Sequence, residues 1–248
     1  MSSYIQTPDG SAAHTLLLLR DLGLNPTSER ARKAVTLVRD NVTHYEGGKP
    51  FFEGEVEPCI NGRVLAIGAY FGEACEEVLE RLLDEQLDDG GWNCEAPRSK
   101  RSSFHTTICV LDGLLEYERA RGAVAGVTEA RARGHEYFLK RRMFRSLSSG
   151  EVIDRDWTLF SFPTRWHYDV LRGLDYLRSA AVAPDDRIAE AIEVVEKNRR
   201  QDGRWPLQNP HDGLRFGIEE EADEPSRWNT LRALRVLRWA GRGSAAQA

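Results

Sequence analysis

Five segments of this chain share a compact pattern of apolar residues, and this recurrence limits the possible folds more than any other feature. The five segments are 14–19, 63–70, 109–117, 169–177 and 229–237. Their leucine, valine, alanine and isoleucine residues recur at the three- and four-residue spacing of a buried helix face. No segment alternates apolar and polar residues convincingly enough to form a strand. The sequence therefore predicts an all-α fold.

More highly charged helical segments lie between the apolar ones, at 29–42, 73–86, 128–142 and 185–200. Their acidic and basic residues are spaced for a solvated helix face. Alternation of apolar and amphipathic helices is typical of two-layer hairpin arrays, in which the inner helices are buried and the outer ones half exposed. We therefore predict an α/α toroid of about five helical hairpins. We expect it to span residues 1–243 as one domain, followed by a disordered tail at 244–248.

Composition and charge exclude several kinds of partner. The 248 residues include 41% hydrophobic ones, which is enough to bury a sizeable core. The net charge of −5 comes from interspersed acidic and basic residues, so a nucleic-acid surface is not expected. The longest apolar run, 16–19, is too short to span a bilayer, and the N-terminus does not resemble a signal peptide. We expect a cytoplasmic protein without an integral membrane segment, and the oligomeric state stays open.

The chain contains four cysteines, at positions 59, 75, 94 and 109. In a chain of this size without an export signal, free thiols or metal ligands are expected rather than disulfides. Cys75 and Cys109 fall within apolar helical patterns, so we expect them to be core residues. Cys59 and Cys94 lie just before or between predicted helices, and they are candidate metal ligands.

The turn after the helix at 73–86 resembles a known repeat motif. Gln86, Gly90 and Trp92 have the spacing of the Q-x-x-x-G-x-W motif of squalene–hopene cyclases and related class II terpenoid cyclases. The segment 201–205, with glutamine first and tryptophan last, resembles a shortened copy. In that family the glutamine caps a helix end and the tryptophan ties neighbouring helices of an α/α toroid together. The resemblance therefore implies that Trp92 and Trp205 are buried structural residues at equivalent positions.

A second resemblance, to the β subunits of protein prenyltransferases, begins at the same turn. The matching elements are a Gly-Gly pair at 90–91, a polar loop, Phe-His-Thr at 104–106 and Leu-Asp-Gly-Leu at 111–114. The histidine of this motif is a zinc ligand in that family, so the resemblance implies that role for His105. The family's aspartate and cysteine ligands would fall near Leu65 and Ile67, whose side chains do not bind metals. The resemblance therefore carries over no other ligand.

Class II cyclases use a D-x-D-D motif, in which an aspartic acid protonates the substrate. The closest sequence here is Asp154, Arg155 and Asp156, followed by Trp157 in place of the last aspartate. Asp154 and Asp156 are candidate catalytic acids on this basis, and Asp169 is a third candidate at the start of an apolar helix. The alternative is that 154–156 form a solvated turn in which the arginine balances the acidic charges.

In a toroid, the inner helices run in one direction, so their N-terminal ends meet at one mouth of a central cavity. The polar or aromatic residues at these ends are His14, Cys59, Asn61, His105, His167, Asp169, Trp228 and Asn229. Buried polar groups need partners or water, so such a cluster indicates a site. Because zinc favours thiolate and imidazole ligands, we predict a Zn²⁺ site there. Its candidate ligands are Cys59, Cys94, His105 and His167. Alternatively, each histidine binds a neighbouring helix end.

Aromatic residues are also concentrated near the predicted inner helices. The candidate ligand-binding residues are Trp157, Phe162, Trp166, Tyr168 and Trp228. Ring faces attract positive charge and an aromatic cavity suits an apolar ligand, so these residues fit an isoprenoid-like small molecule. Ordinary core packing explains most of them equally well.

Two functions from different classes follow from these features. The first is an enzyme of the terpenoid cyclase or prenyltransferase type, which binds an isoprenoid or other apolar small molecule in a central cavity. The second is a non-catalytic α/α-toroid module that binds a small ligand or a protein. A third possibility, a carbohydrate-active enzyme with an acidic pair such as Glu57 and Asp169, has no supporting spacing.

Overall fold

The computed structural model describes residues 8–212, 217–218 and 220–242. Over these residues the chain forms nine α-helices and one pair of two-residue strands. The helices are α1 (Pro8–Asp21), α2 (Glu29–Asn41), α3 (Pro58–Phe71), α4 (Glu76–Asp84), α5 (Phe104–Arg121), α6 (Ala125–Lys140), α7 (Val170–Ser179), α8 (Ala189–Lys197) and α9 (Arg227–Trp239). The strands β1 (Trp205–Pro206) and β2 (Pro225–Ser226) are antiparallel. The all-α prediction is confirmed, whereas the toroidal arrangement stays a prediction.

The chain divides into two compact units, and the division falls between Gly134 and His135, inside α6. The first unit contains α1 to α5, and the second contains α7 to α9 with the strand pair. The expected single domain over 1–243 stays a prediction. The tail predicted at 244–248 lies outside the described residues. In the described ranges, no helix combines the length and the apolar content needed to cross a membrane.

The core of the first unit is built on α3 and α5, which pack closely along each other. A Cβ added to Gly62 would lie 2.5 Å from the carbonyl oxygen of Cys109, and one added to Gly113 would lie 2.3 Å from that of Gly62. Only glycine permits this approach of two helix backbones. Val64 and Leu65 are fully buried beside this contact. The predicted inner position of α3 and α5 therefore agrees with their burial.

The charged helices of the first unit bury a single face. In α2 the buried residues are Ala31 and Val35, and in α4 they are Val78, Leu79 and Leu82. This half-exposed pattern is the one predicted for outer helices. Cys75 and Cys109 are buried, as expected for core residues.

Trp92 anchors the turn between α4 and α5. Its side chain is completely buried, and its indole Nε1 donates a hydrogen bond to the Leu82 carbonyl at 2.7 Å. Its backbone N–H donates to Thr107 Oγ1 at 3.0 Å, which ties the turn to the first turn of α5. Ser103 caps α5 by accepting a hydrogen bond from the Thr106 N–H. The predicted structural role of Trp92 agrees with these contacts.

Gly90 and Gln86 complete this turn. Gly90 has a φ of +98°, and a Cβ there would lie 2.5 Å from the Arg133 carbonyl oxygen, so the position requires glycine. Gln86 Nε2 donates to the carbonyls of Gly90 and Ala130, both at 2.8 Å. Gln86 thus binds one carbonyl in the turn after α4 and one inside α6, and its role as a helix-end cap of a repeat motif stays a prediction.

Trp205 anchors the corresponding turn of the second unit, after α8. It is also completely buried, and its Nε1 donates to the Val195 carbonyl at 2.6 Å. Its backbone N–H donates to Thr230 Oγ1 at 3.0 Å, in the first turn of α9, which Ser226 caps. Trp92 and Trp205 therefore occupy equivalent positions, as predicted.

Gln201 does not occupy the position of Gln86 in this second turn. Gln201 is exposed, and the carbonyl of Gly203 accepts instead from Arg199 Nε at 3.3 Å. Arg199 stands six residues before the tryptophan, as Gln86 does in the first unit. The shortened motif therefore places its glutamine outside the helix-end contact.

Several helices begin at residues other than those that the sequence pattern predicts, and two of these shifts affect candidate ligands. α3 begins at Pro58 rather than near residue 61, because proline is well accommodated at the first helical position. Cys59 therefore lies in the first turn of α3. α7 begins at Val170, where Asp169 caps it, so His167 precedes the helix.

α9 is less buried than an inner helix should be. Its residues Leu231 and Leu234 are 42% and 49% exposed. The buried positions of α9, which include Asn229, Ala233 and Val236, form one face only. Its apolar pattern therefore overstated its burial.

Candidate metal centre

Cys59 and Glu57 lie at the N-terminal end of α3. Glu57 is the N-cap residue, but its side chain makes no capping hydrogen bond. Its carboxylate Oε2 instead lies 3.4 Å from Cys59 Sγ, within the reach of a hydrogen bond from the thiol. Both residues are half-buried. A thiol and a carboxylate are therefore held side by side at the start of a helix.

The turn that precedes Glu57 is held by buried polar contacts. Asn61, which is fully buried, accepts a hydrogen bond from the Glu55 N–H and donates one to the Glu55 carbonyl, both at 2.7 Å. Arg81 donates to the same carbonyl at 2.6 Å. Glu55 Oε2 accepts from the Glu57 N–H at 2.9 Å, and burial raises the pKa of the Glu55 carboxyl. These contacts fix the backbone that carries Glu57.

Cys94 reaches the same place from the loop between Trp92 and α5. The loop closes on itself through Asn93, whose Nδ2 donates to the Arg101 carbonyl at 2.7 Å. It is also fixed at its end by the Ser103 N–H, which donates to the Trp92 carbonyl at 2.8 Å. Cys94 Sγ lies 3.4 Å from Thr106 Oγ1, in the first turn of α5. The Trp92 turn thus holds the loop that presents Cys94.

Glu57, Cys59 and Cys94 form one cluster. One ligand atom from each of them, two sulfurs and a carboxylate oxygen, lies within 4.8 Å of the other two. Around a tetrahedral zinc ion, with Zn–S near 2.3 Å and Zn–O near 2.0–2.2 Å, neighbouring ligand atoms lie roughly 3.5–3.8 Å apart. Small side-chain rotations would bring the three atoms to that spacing. The donor set therefore fits a metal ion such as zinc.

The two thiols interact electrostatically. A hydrogen bond with Cys94 raises the pKa of the Cys59 thiol well above its usual range, and burial raises it further. The same hydrogen bond lowers the pKa of Cys94, and the Thr106 hydroxyl contributes in the same direction. Cys94 is therefore the thiol of the pair that loses its proton more readily. Arg63, buried on α3 next to His14, opposes the increase at Cys59.

The predicted zinc ligands are only partly gathered in this cluster. Cys59 and Cys94 are brought together, and Glu57 joins them as a carboxylate that the sequence did not indicate as a ligand. His105 lies half-buried in the first turn of α5 and is not a member of the cluster of described ligand atoms. The role of His105 as a zinc ligand stays a prediction.

His167 lies in the second unit, in a stack of three rings. Its ring centroid is 3.8 Å from that of Trp166 and 3.6 Å from that of His211. His211 was not predicted as part of a site, and burial lowers its pKa. Within the second unit, His167 therefore has a ring-stacking environment, and its role as a metal ligand stays a prediction.

The aspartates proposed as acids have structural contacts. Asp169 Oδ1 accepts the Arg172 N–H at 2.7 Å as the N-cap of α7, and its Oδ2 accepts from the Ser161 hydroxyl at 2.9 Å. Asp154 and Asp156 are exposed in a short 3₁₀ turn, where Asp154 accepts the Asp156 N–H. These contacts correspond to capping and turn formation, and catalysis by the three aspartates stays a prediction.

The five candidate aromatic residues separate into a buried pair and a half-buried group. Trp157 and Tyr168 are buried in an edge-to-face contact, and the Tyr168 hydroxyl donates to the Met143 carbonyl at 2.6 Å. Phe162 stacks on Trp228 with ring centroids 5.0 Å apart, and both are half-buried. Trp166 belongs to the histidine stack. The buried pair has the contacts of core residues, while the other three have surface for a ligand.

Comparison with known proteins does not identify a family or a function for this chain. No protein-family model matches the chain, and a search of curated proteins returns no significant match.

Proposed function

We propose that Glu57, Cys59 and Cys94 bind a zinc ion, and that the chain is a zinc-dependent member of the prenyltransferase and terpenoid cyclase type of α/α toroid. The observation that carries the proposal is the convergence of two thiols and a carboxylate within 4.8 Å. Zinc is the metal whose preferred ligands best match this set.

Three protein ligands would leave a fourth position for water or a substrate, which is the arrangement of catalytic zinc sites. Zinc in such a position supplies Lewis acidity and lowers the pKa of the group that it binds. The surrounding residues of this chain hold the three zinc-binding side chains in position. The Asn61–Glu55 contacts orient the Glu57 backbone, and Thr106 orients Cys94. His105 lies in the first turn of α5, two residues before Thr107, which accepts the hydrogen bond of the Trp92 N–H. It is the candidate for a fourth ligand if the site is closed.

The ligand that we propose is an isoprenoid or another apolar small molecule in a central cavity. Support for the toroid comes from the buried α3 and α5, the half-exposed α2 and α4, and the equivalent turns at Trp92 and Trp205. Half-buried rings such as Phe162, Trp166 and Trp228 are the candidates for apolar contact with the ligand.

The alternative function is a non-catalytic toroid module in which zinc has a structural role. The observation that favours it is the placement of the cluster, because Cys59 belongs to α3 and Cys94 to the loop that leads into α5. A metal there would join these two segments, as structural zinc sites do. The contacts of the candidate catalytic acids also favour it, since Asp169 caps α7 and Asp154 accepts the Asp156 N–H in an exposed turn.

The test of the zinc site is the metal content of the purified full chain. We expect roughly one zinc per chain, measured by inductively coupled plasma mass spectrometry, because the cluster offers one set of ligands. Cys59→Ser, Cys94→Ser and Glu57→Gln should each weaken zinc binding at least about tenfold. Cys75→Ala, which changes a buried thiol elsewhere in the first unit, is the matched control and should retain zinc.

Two further measurements separate the alternatives. Calorimetric titration of the zinc-loaded chain with farnesyl diphosphate tests isoprenoid binding, and no heat of binding would contradict this ligand class. If His105→Ala reduces zinc binding as much as Cys94→Ser does, the site has four protein ligands and the structural role is favoured. Absence of zinc from the folded wild type, after incubation with zinc salts, would contradict the metal site.

A further inference from the structure

The cluster also contains two neighbouring cysteine thiols, which are the groups that a reversible oxidation site requires. Cys59 and Cys94 are both half-buried, so part of each residue is open to a small oxidant. Cys75 and Cys109 are buried. Reactive thiols in proteins are accessible and placed next to a second thiol that can resolve the oxidised form. In this chain, Cys59 and Cys94 meet both conditions.

The geometry permits a covalent bond between the two sulfurs. They lie within 4.8 Å of each other, and a disulfide requires about 2.05 Å. Cys59 is held in the first turn of α3, whereas Cys94 lies in a connecting loop. Rotation of the Cys94 side chain, with a small adjustment of its loop, is therefore the motion that would close the distance.

We propose that Cys59 and Cys94 form an intramolecular disulfide when the protein meets a peroxide, and that this bond releases the metal. The metal-release part rests on the proposed zinc site, while the disulfide itself does not. One cluster would then exist in two exclusive forms, a dithiol that binds zinc and a disulfide that does not.

The reaction balances with hydrogen peroxide as the oxidant. The sulfur of one cysteine attacks a peroxide oxygen, the O–O bond breaks, and a sulfenic acid and one water form. The sulfur of the second cysteine then attacks the sulfenic sulfur, the S–O bond breaks, and the hydroxyl leaves with the thiol proton as a second water. The two sulfurs lose two electrons in total, and the peroxide gains them. A dithiol reductant reverses the step by thiol–disulfide exchange.

Loss of both thiolates removes two of the three proposed ligands. A single carboxylate, Glu57, does not hold zinc tightly, because structural and catalytic sites use at least three protein ligands. Oxidation is therefore expected to release the ion, and reduction is expected to restore binding.

Peptide mapping tests the disulfide directly, because trypsin places each cysteine on its own peptide. The four peptides are 40–63 with Cys59, 64–81 with Cys75, 82–98 with Cys94 and 102–119 with Cys109. The full chain is loaded with zinc, treated with hydrogen peroxide, denatured and alkylated before digestion. We expect two of the four thiols to escape alkylation and peptide 40–63 to be linked to peptide 82–98. Dithiothreitol should restore all four alkylations.

Zinc release is measured in the same samples with a chromogenic zinc chelator. We expect at least about a tenfold loss of bound zinc in the oxidised wild type, and recovery after reduction. Cys59→Ser and Cys94→Ser should form no linked peptide, and the control Cys75→Ala should behave as the wild type does.

Each outcome decides between the two proposals. Four alkylated thiols after peroxide treatment, or links that involve Cys75 or Cys109, would overturn the disulfide while leaving the zinc site intact. A 40–63 to 82–98 link in a chain that never binds zinc would support the disulfide and overturn the metal site. A link that forms while zinc stays bound would overturn the proposed release.

Discussion

The turns at Trp92 and Trp205 have the same framework and different connecting loops. In both, a buried indole donates to a carbonyl ten residues earlier, at Leu82 and at Val195. In both, the tryptophan N–H donates to a threonine in the first turn of the next helix. These hydrogen bonds join the end of one helix to the start of the next, so they explain why the tryptophans recur.

The loops that follow the two tryptophans differ in length and content. The first runs over 93–102 and brings Cys94 next to Glu57 and Cys59. The second spans 206–225, contains no cysteine, and begins and ends in the strand pair β1–β2. The two turns therefore share their hydrogen bonds, while the loop after the first turn brings a cysteine to two other potential metal ligands.

Removal of either tryptophan is the strongest test of this shared framework. Trp92→Ala and Trp205→Ala should each lower the free energy of unfolding by about 3–5 kcal/mol, the usual cost of deleting a large buried aromatic side chain. Urea denaturation followed by circular dichroism measures both. Trp228→Ala, at a half-buried position, is the control and should cost less. If either variant unfolded at the same urea concentration as the wild type, the inference that the two turns are equivalent would be wrong.

Metal removal should separate the two turns. If zinc binds in about hundredfold excess over its dissociation constant, it stabilises the chain by about 2.7 kcal/mol. A chelator should therefore increase hydrogen exchange in 91–107, which contains Cys94, and leave 203–206 unchanged. Hydrogen–deuterium exchange with mass spectrometry gives this comparison. Equal deprotection of both turns would contradict a metal site that belongs to the first turn alone.

The two threonines that accept hydrogen bonds from the tryptophan N–H groups should differ in how much each contributes to the free energy of unfolding. Thr107 is fully buried, so Thr107→Val leaves a buried N–H without its acceptor and should cost about 1–3 kcal/mol. Thr230 is half-buried, and water can replace its hydroxyl, so Thr230→Val should cost less than about 1 kcal/mol. Thermal and urea unfolding of the two variants provide the measurement, with serine variants as matched controls that retain the hydroxyl. A larger loss for Thr230→Val would reverse this ranking.

The smallest effect concerns the side chains that bind the glycine carbonyls. Gln86 donates two hydrogen bonds from a half-buried position, so Gln86→Ala should cost about 1 kcal/mol. Arg199 is exposed and makes one longer bond to Gly203, so Arg199→Ala should cost only about 0.5 kcal/mol. Gln201→Ala is the control, and we expect no change in the urea midpoint. A loss of stability for Gln201→Ala, with none for Arg199→Ala, would restore the glutamine to its motif role.

Much of the local structure follows from the sequence because short-range interactions produce it. The helix start at Ser103 follows from its capping hydroxyl, and the turn at Gly90 follows from a positive φ that glycine tolerates. The burial of α3 follows from its continuous apolar residues. The pattern was less informative for α9, because exposed leucines such as Leu231 satisfy helical periodicity without being buried.

The candidate site was predicted only in part. Cys59 and Cys94 were identified by their residue type and their place outside the apolar helix patterns. Glu57 was not, although a carboxylate two residues before a cysteine at a proline-initiated helix is a signal that could have indicated it. Its role depends on the missing cap hydrogen bond, which leaves the carboxylate beside the Cys59 thiol.

The sequence by itself predicted most of the helices, the cap at Ser103 and the positions of the two tryptophan turns, since helical periodicity, capping hydroxyls and turn glycines act between residues close in the chain. The tertiary structure alone decided that Cys94 meets Cys59 and Glu57, and that Arg199 takes the place expected for Gln201. The reason is that these contacts depend on how α3 and α5 pack, and on where one helix ends relative to the following turn. Helical periodicity records which face is buried, but it does not record which distant residue that face will contact.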